Sequence, residues 1–481
     1  MKYEAIIGLE VHAQLKTRSK IFCGCPNEFG ANPNTNVCPV CLGMPGVLPV
    51  LNRFAVELAV RAALALNCKI HRESRFARKN YFYPDLPKGY QITQYDKPLA
   101  TDGFLEIETE SGLKKIRINR IHIEEDAGKD LHDISPEFSY IDFNRAGVPL
   151  IEIVSEPDIS SPEEASKYLK TLRNILVYLD VCDGNMEAGS LRCDANISVR
   201  EVGSRGFGTK TEVKNLNSFK FVEKALSYEI ERHISLIEKN VRIERQTMLF
   251  DSRENITRPM RSKEESHDYR YFEEPDLLPL ILTDEEIDSY REDICELPHQ
   301  KKKRYIKELG LTNYEAEILV QDKGVAEFFE DSVSLLNEPK QIASWIINDY
   351  MRELNSRKID IKQSPVTPNK LVSLIKHLLE KKITLNMARE IFVILFEEGG
   401  DVQEIIAKRG YEIVDDTEAI LKNIREILSS HPDELAKYKK GNQNLLGFFI
   451  GELMKRMKGK IDPKKARDMI RDELDKAQGG V

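Results

Sequence analysis

Alternation of apolar and polar residues opens the chain. In Ile6-Ile7-Gly8-Leu9-Glu10-Val11-His12-Ala13, the residues Gly8, Glu10 and His12 fall on one side, and Ile7, Leu9, Val11 and Ala13 on the other. Period two of this kind predicts a half-buried strand. The clearest case is Leu191 to Arg200. Leu191, Cys193, Ala195, Ile197 and Val199 make one face, and Arg192, Asp194, Asn196, Ser198 and Arg200 the other. Ile116 to Ile123 also reads as a strand, and in Thr209–Asn215 the residues Lys210, Glu212 and Lys214 share a face. Helical stretches intervene. Arg53 to Leu66 is one. Ser161-Pro162-Glu163-Glu164 begins another, with an N-cap serine and proline at the first helical position. A long third follows Asn217, to roughly Asn240.

Near Thr283-Asp284-Glu285-Glu286 the pattern becomes helix after helix with short breaks, and Gly399-Gly400 suits a hinge before a last helical unit. The predicted fold class is α+β. A mixed α/β domain spans 1–290, an all-helical domain 291–405, and a small helical tail domain 406–481. A chain of 481 residues accommodates three domains of ordinary size. There is no internal repeat and no low-complexity tract.

Composition narrows the class. Hydrophobic residues make up 41%, enough for sizeable cores and too many for disorder. Met1-Lys2-Tyr3-Glu4 carries an acid and no apolar signal segment follows. Uninterrupted apolar runs stay far below the ~18 residues of a membrane span. The expectation is a soluble, cytoplasmic chain with no membrane partner. Its eight cysteines are too sparse for a secreted disulfide scaffold.

The net charge of −8 argues against broad nucleic-acid binding, but the charge is unevenly spread. From Lys437 to Arg467 there are ten Lys/Arg and two acids, a local +8. Leu446, Ile450, Leu453 and Met457 recur there at helical spacing. Asp462-Pro463 then starts a helix carrying Ala466, Met469, Ile470 and Leu474. A basic face on a small helical unit fits contact with a phosphate backbone. With few aromatics among the charges, it fits recognition by shape rather than by base. The plainer alternative is a solvated surface.

Two close cysteine pairs stand near the N-terminus, Cys23-Gly24-Cys25 and Cys38-Pro39-Val40-Cys41. Four soft thiolates in one small knuckle suit tetrahedral zinc, and Gly24 and Pro39 suit the turns required. With no ligand position left open, such a zinc is structural. Cys68, Cys182, Cys193 and Cys295 have no such grouping and read as ordinary buried cysteines.

Acids recur within apolar, strand-like segments. Glu10 and His12 sit two apart, about 6.5–7 Å along one side of a strand, close enough to share a divalent ion. His122-Ile123-Glu124-Glu125-Asp126 ends another strand-like run, and Glu152 and Asp194 lie between apolar neighbours. Burying charge is costly without a partner. Several carboxylates with an imidazole suit magnesium or manganese bridging phosphates. Periodicity leaves open whether Glu124 or Glu125 points inward. Arg78-Lys79-Asn80-Tyr81-Phe82-Tyr83-Pro84-Asp85 and Leu86-Pro87-Lys88-Gly89-Tyr90-Gln91 add positive charge and aromatics in a punctuated loop. Together with Lys210 and Lys214 they could hold a polyphosphate, or be solvated surface. No G-x-x-x-x-G-K-[ST] loop occurs. No G-x-S-x-G elbow or Ser-Lys amidase pattern occurs either, so the chain is not expected to release ammonia from an amide.

These segments, together with Pro149–Asp158, Gly189–Asn196, Lys214–Phe219 and Asp268-Tyr269-Arg270-Tyr271-Phe272, closely resemble the B subunit of the glutamyl/aspartyl-tRNA amidotransferases. The resemblance runs through essentially the whole chain. It implies a cradle-shaped catalytic domain, a helical domain, and a tRNA-binding tail from about 407. It also implies a ligase that makes a carbon–nitrogen bond with glutamine as amide donor. Such proteins bind ATP and magnesium and phosphorylate the side-chain carboxylate of Glu on tRNA(Gln) or Asp on tRNA(Asn). Ammonia, released from glutamine or asparagine by an amidase A subunit, then displaces phosphate, and a small C subunit completes a heterotrimer. Carried onto this sequence, Glu10, His12, Glu125 and Glu152 are the metal and catalytic candidates, with Glu124 the open alternative. Lys79 is a further catalytic candidate. Lys79 and Lys88 are phosphate or substrate candidates, with Ser190, Arg192, Asp194 and Lys210 nearby. Cys23, Cys25, Cys38 and Cys41 are the zinc ligands. The competing readings are a zinc-stabilised, non-catalytic tRNA-binding subunit and a metal-dependent hydrolase acting alone.

Overall fold

The alternation at the N-terminus becomes strand β1, Tyr3–Gln14, in the middle of a nine-stranded sheet in the computed structural model of this chain. The structure describes residues 2–131, 137–260, 269–413, 416–457 and 459–478. Asp268 of the tyrosine-rich motif and Lys458 of the basic stretch lie outside the described residues. The other strands of the sheet, in chain order, are β2 Lys69–Ile70, β3 Ala100–Thr109, β4 Gly112–Glu125, β5 Pro149–Ser155, β6 Leu191–Glu201, β7 Thr211–Lys214, β8 Thr247–Asp251 and β9 Ile256–Pro259. They lie in the order β9-β8-β7-β6-β1-β5-β4-β3-β2.

Neighbouring strands run antiparallel except β7 and β8. A parallel pair cannot be joined by a tight turn. Here the connection contains a twenty-residue helix, Phe219–Glu238.

Three helices cover one face of the sheet: α1 Arg53–Ala65, α2 Pro162–Tyr178 and α3 Phe219–Glu238. Asn52, Ser161 and Ser218 cap their N-termini with side-chain oxygens, which satisfies amides left free by the first turn. The apolar residues of the alternating strands, Ile7, Leu9, Val11, Ile121, Ile123, Ile151, Ile153, Cys193, Ala195 and Ile197, join these helices in one core. Each large aliphatic side chain so buried contributes about 1.5–3 kcal/mol relative to exposure. The register is therefore fixed, because a one-residue slip would move this set to the other side. The residues between them, Glu10, His12, His122, Glu124, Glu152, Arg192 and Asp194, project from the opposite face.

The first compact unit runs to Pro298, beyond the point where the helical pattern begins. The helix α4, Asp284–Glu292, is tied into it by Arg53–Glu286, Arg61–Asp293 and Arg72–Asp284 pairs and by buried Ile287. Cys68, Cys182 and Cys193 are buried as expected. Cys295 is exposed, a correction to the sequence reading. It lies in the short connection after α4, where only its Sγ turns inward, 3.3 Å from the Tyr178 carbonyl oxygen.

The second unit, His299–Val481, is helical. One core runs from Tyr305 to Ile406 around Phe329, Tyr350 and Phe392, and another from Ile420 to Leu474 around Phe449 and Leu453. Gly399 and Gly400 both take positive φ between the helices Leu385–Glu397 and Val402–Arg409, a conformation glycine adopts without strain. No helix among the described residues is long and apolar enough to cross a membrane.

Candidate functional site

The antiparallel register lines four polar residues across the helix-free face. Arg192 on β6 stands opposite His12 on β1, His12 opposite Glu152 on β5, and Glu152 opposite His122 on β4. Directly opposed side chains in such pairs sit close enough to interact. His12 Nε2 lies 3.3 Å from Glu152 Oε2 and 3.5 Å from Glu124 Oε1. His122 Nε2 lies 3.2 Å from Glu152 Oε2 and 3.6 Å from Glu124 Oε2. Thr93 Oγ1 donates to Glu124 Oε2 at 3.0 Å, from a strand Tyr90–Thr93 of a separate three-stranded sheet. The result is a square of two carboxylates and two imidazoles. Ligand atoms of His12, Glu124 and Glu152 all lie within 4.8 Å of one another.

Electrostatics couple the four groups of the square. Burial works against protonation of His122, but the Glu152 and Glu124 carboxylates outweigh it and raise its pKa to about 9. His12 is raised in the same way, against burial, chiefly by Glu152. Glu152 is held well below the usual carboxylate range by the two imidazoles, despite its burial. The imidazoles and carboxylates thus offset one another's burial across the sheet face.

The two adjacent glutamates separate. Glu124 belongs to the square. Glu125, on the core side of β4 at its end, accepts from the Ile92 amide at 2.8 Å and pairs with Lys88. It is therefore not brought to the His12–Glu152 group. Strand alternation is the reason: Ile121 and Ile123 fill the core, so Glu124 must face the other way.

Glu10 lies one pair further along β1, opposite Asp194 and Val154. Asn196 Nδ2 donates to it at 2.8 Å. Burial and then the Glu152 and Glu212 charges push its pKa up. Arg192 is held at 2.8 Å by buried Asp126, which also accepts from Gln14. Asp194 accepts from Lys214 at 2.6 Å, and Lys210 donates to Asn196 at 3.0 Å. Beyond Glu10 a cavity of roughly 290 Å³ is floored by Gly8 and lined by Val154, Asn196, exposed Phe207 and Lys210.

Other sequence candidates lie apart from the square. Lys79 sits over the rings of Tyr269 and Tyr81, at 4.9 and 5.7 Å. Lys88 faces Glu125 and the rings of Phe22 and Tyr90. The Ser190 hydroxyl is engaged by Asp183 and by the Asn185 carbonyl at 2.9 Å, within its own turn. Sequence reasoning passed over His122 and Thr93. The signal for His122 was present, because it is two residues before Glu124 and so shares its side of the strand. Nothing local marks Thr93, which arrives from another sheet.

The four knuckle cysteines bring their sulfurs within 4.8 Å of one another. A tetrahedral ion with sulfurs at about 2.3 Å needs them about 3.8 Å apart, so the set fits a structural metal. The Cys41 thiol is pulled down to about 4 by hydrogen bonding from Cys23, then by the Cys38 amide and Lys20. Cys25 is pushed up to about 11, first by burial, and Cys23 is also raised, first by Cys41.

Residues 5–288 match the GatB/GatE catalytic domain model, and residues 327–474 match the GatB domain model. The chain belongs to the family of aspartyl/glutamyl-tRNA(Asn/Gln) amidotransferase B subunits. It is 55% identical over 470 residues to the protein of that name from Thermodesulfovibrio yellowstonii, covering 98% of this chain and 99% of the relative. The Persephonella marina protein is 53% identical over 475 residues, covering 98% and 100%. That from Caldanaerobacter subterraneus subsp. tengcongensis is 50% identical over 476, covering 99% and 100%.

Proposed function

We propose that this chain activates the side-chain carboxylate of Glu on tRNA(Gln), or of Asp on tRNA(Asn), by transfer of the γ-phosphoryl group of ATP at the square of His12, His122, Glu124 and Glu152. The carboxylate oxygen attacks phosphorus, ADP leaves, and the acyl phosphate is then displaced by ammonia to give the amide and phosphate. A carboxylate is a poor acyl electrophile and its acyl phosphate a good one. When bound, a magnesium ion at the square supplies positive charge to the phosphates during transfer. Glu124 and Glu152 would hold it with His12, while His122 and Thr93 orient the carboxylates. Asp126 fixes the Arg192 guanidinium beside them. Glu10, Asn196 and Lys210 line the neighbouring cavity and suit the nucleotide, while Lys79 and Lys88 suit the charged acceptor end.

The observation that carries this reading is the square itself. A subunit that only bound tRNA would have no use for two carboxylates and two imidazoles converging on a helix-free face. The relatives' names support assembly with other subunits and a tRNA substrate. We place the amidase A subunit and a small C subunit in that assembly, the tail from about 407 on the tRNA, and zinc in the cysteine knuckle. The test is reconstitution with candidate amidase and small subunits, followed by assay on Glu-tRNA(Gln) and Asp-tRNA(Asn). ATP turnover that requires both charged tRNA and the partner subunits supports the proposal. ATP hydrolysis by the chain alone, indifferent to either, overturns it.

A further inference from the structure

Lys20 has no part in the chemistry above, yet its side chain is wholly sealed from water. Its Nζ donates to the Phe143 carbonyl at 3.2 Å and lies 3.6 Å from Cys41 Sγ. A lysine without water is costly unless its charge is matched. Among the described residues no carboxylate pairs with it, so the charge at hand is that of the Cys41 sulfur. The backbone holds it there: Lys20 N–H donates to the Cys25 carbonyl and Ile21 N–H to the Gly147 carbonyl, both at 2.9 Å. Cys41 also takes the Cys38 amide at 3.2 Å. The Gly147 turn packs directly on the pair, since a Cβ there would stand in ordinary contact, 3.5 Å, with both Lys20 Cδ and Cys41 Cβ.

We propose that Lys20 is the cation that stabilises metal in the cysteine knuckle, donating an N–H···S hydrogen bond to the Cys41 thiolate. This rests on reading the quartet as a zinc site. Four thiolates around a divalent ion leave a net charge of −2, and one adjacent ammonium reduces it to −1. In a dry setting that compensation is strong, because solvent screens little of it. Lys20 contacts sulfur and not the ion, so it acts by holding a ligand in its charged, oriented form. The same side chain ties the knuckle to the Phe143–Gly147 turn, which leads directly into β5 and Glu152. Metal in the knuckle and order in that turn are thereby coupled through Lys20, alongside the bonds of Asn34 to Phe143 and Asn36 to Asn144.

The test uses the full chain loaded with zinc. Metal analysis of the wild type comes first, since a zinc-free protein defeats the zinc reading and this proposal with it. Zinc release into excess chelator is then followed with a chromogenic indicator for wild type and Lys20→Met, which keeps the volume and removes the charge. The expected result is zinc release about 10–100-fold faster from Lys20→Met, matching the affinity lost when a ligand's hydrogen-bond partner is removed, with a shifted sulfur-to-metal charge-transfer band in the cobalt-substituted protein. A folded Lys20→Met that releases zinc at the wild-type rate, with an unchanged cobalt spectrum, overturns the role of Lys20 while leaving the zinc site standing. Should Lys20→Met not fold, amine acylation of the wild type, read by mass spectrometry, decides the matter. Lys20 should resist modification with zinc bound and become reactive after chelation. Equal protection in both states overturns the proposal.

Discussion

Glu124 and Glu125 are consecutive in sequence and face opposite sides of one strand. Glu124 meets His12 and His122, whereas Glu125 meets Lys88 and the Ile92 amide. The two glutamates are therefore not equivalent. Glu124→Gln should weaken Mn²⁺ binding, read by electron paramagnetic resonance, on the order of tenfold or more, about 1.4 kcal/mol or more. Glu125→Gln should leave it within about threefold, since its partner is an ammonium. The reverse ordering would remove Glu124 from the metal site.

The knuckle predicts about one zinc per chain in protein purified without chelator, from the four converging sulfurs. Cys38→Ser should lower thermal stability more than it lowers amidation at mild temperature, because the quartet is separate from the square. Metal analysis and a melting curve check this. Absence of zinc in the wild type would contradict it.

Acid stability should report Glu229. Its fully buried carboxylate accepts from Thr211 at 2.9 Å, Thr257 and Arg232, beside buried His233. Burial opposes ionisation, but His233, Arg232 and Thr257 outweigh it and hold the pKa at about 2. A carboxylate depressed in the fold contributes stability above its unfolded pKa of about 4.3, and loses it as pH falls toward the folded value. Glu229→Gln should therefore cost up to about 3 kcal/mol near neutrality, from a depression of roughly two units. The gap to wild type should close between about pH 5 and pH 2. Denaturant melts of the two proteins across that range test it, and a gap that widens on acidification would contradict it.

The tail predicts salt-dependent tRNA binding. Lys437, Lys439 and Lys440 are exposed at the end of a helix whose Tyr438 is buried, so their charge is free of the core. Changing all three to Glu should weaken tRNA binding and flatten its salt dependence, by about 0.7–0.9 per lost phosphate contact on a log–log plot. Unchanged affinity and slope would make the stretch a solvated surface.

Much of this was legible in the sequence wherever one local pattern sufficed. Period two in Ile6–Ala13 and Leu191–Arg200 gave both strands and their polar faces. The N-cap serine with Pro162 gave the start of α2. The cysteine spacing gave the quartet. What required long-range pairing was not legible. No periodicity says that β1 lies between β5 and β6, and without that order the approach of Glu152 to His12 is invisible. Glu124 could be told from Glu125 only once Ile121 and Ile123 were known to face the helices. The tail's core centres on Phe449 as well as Leu453, because Leu445, Phe449 and Met454 widen the apolar face beyond the stripe Leu446, Ile450, Leu453 and Met457. Cys295 shows the limit of composition, since residue type alone says little about burial in a connecting segment.

The central claim is that the square of His12, His122, Glu124 and Glu152 performs carboxylate activation. The most direct measurement is single-turnover conversion of Glu-tRNA(Gln) by the reconstituted complex, with ATP present and ammonia supplied directly so that the amidase step is bypassed. Glu124→Gln and Glu152→Gln should each slow amidation by roughly a thousandfold, about 4 kcal/mol of transition-state stabilisation, while tRNA binding and subunit assembly persist. Near-normal amidation by both variants under these conditions would contradict the account.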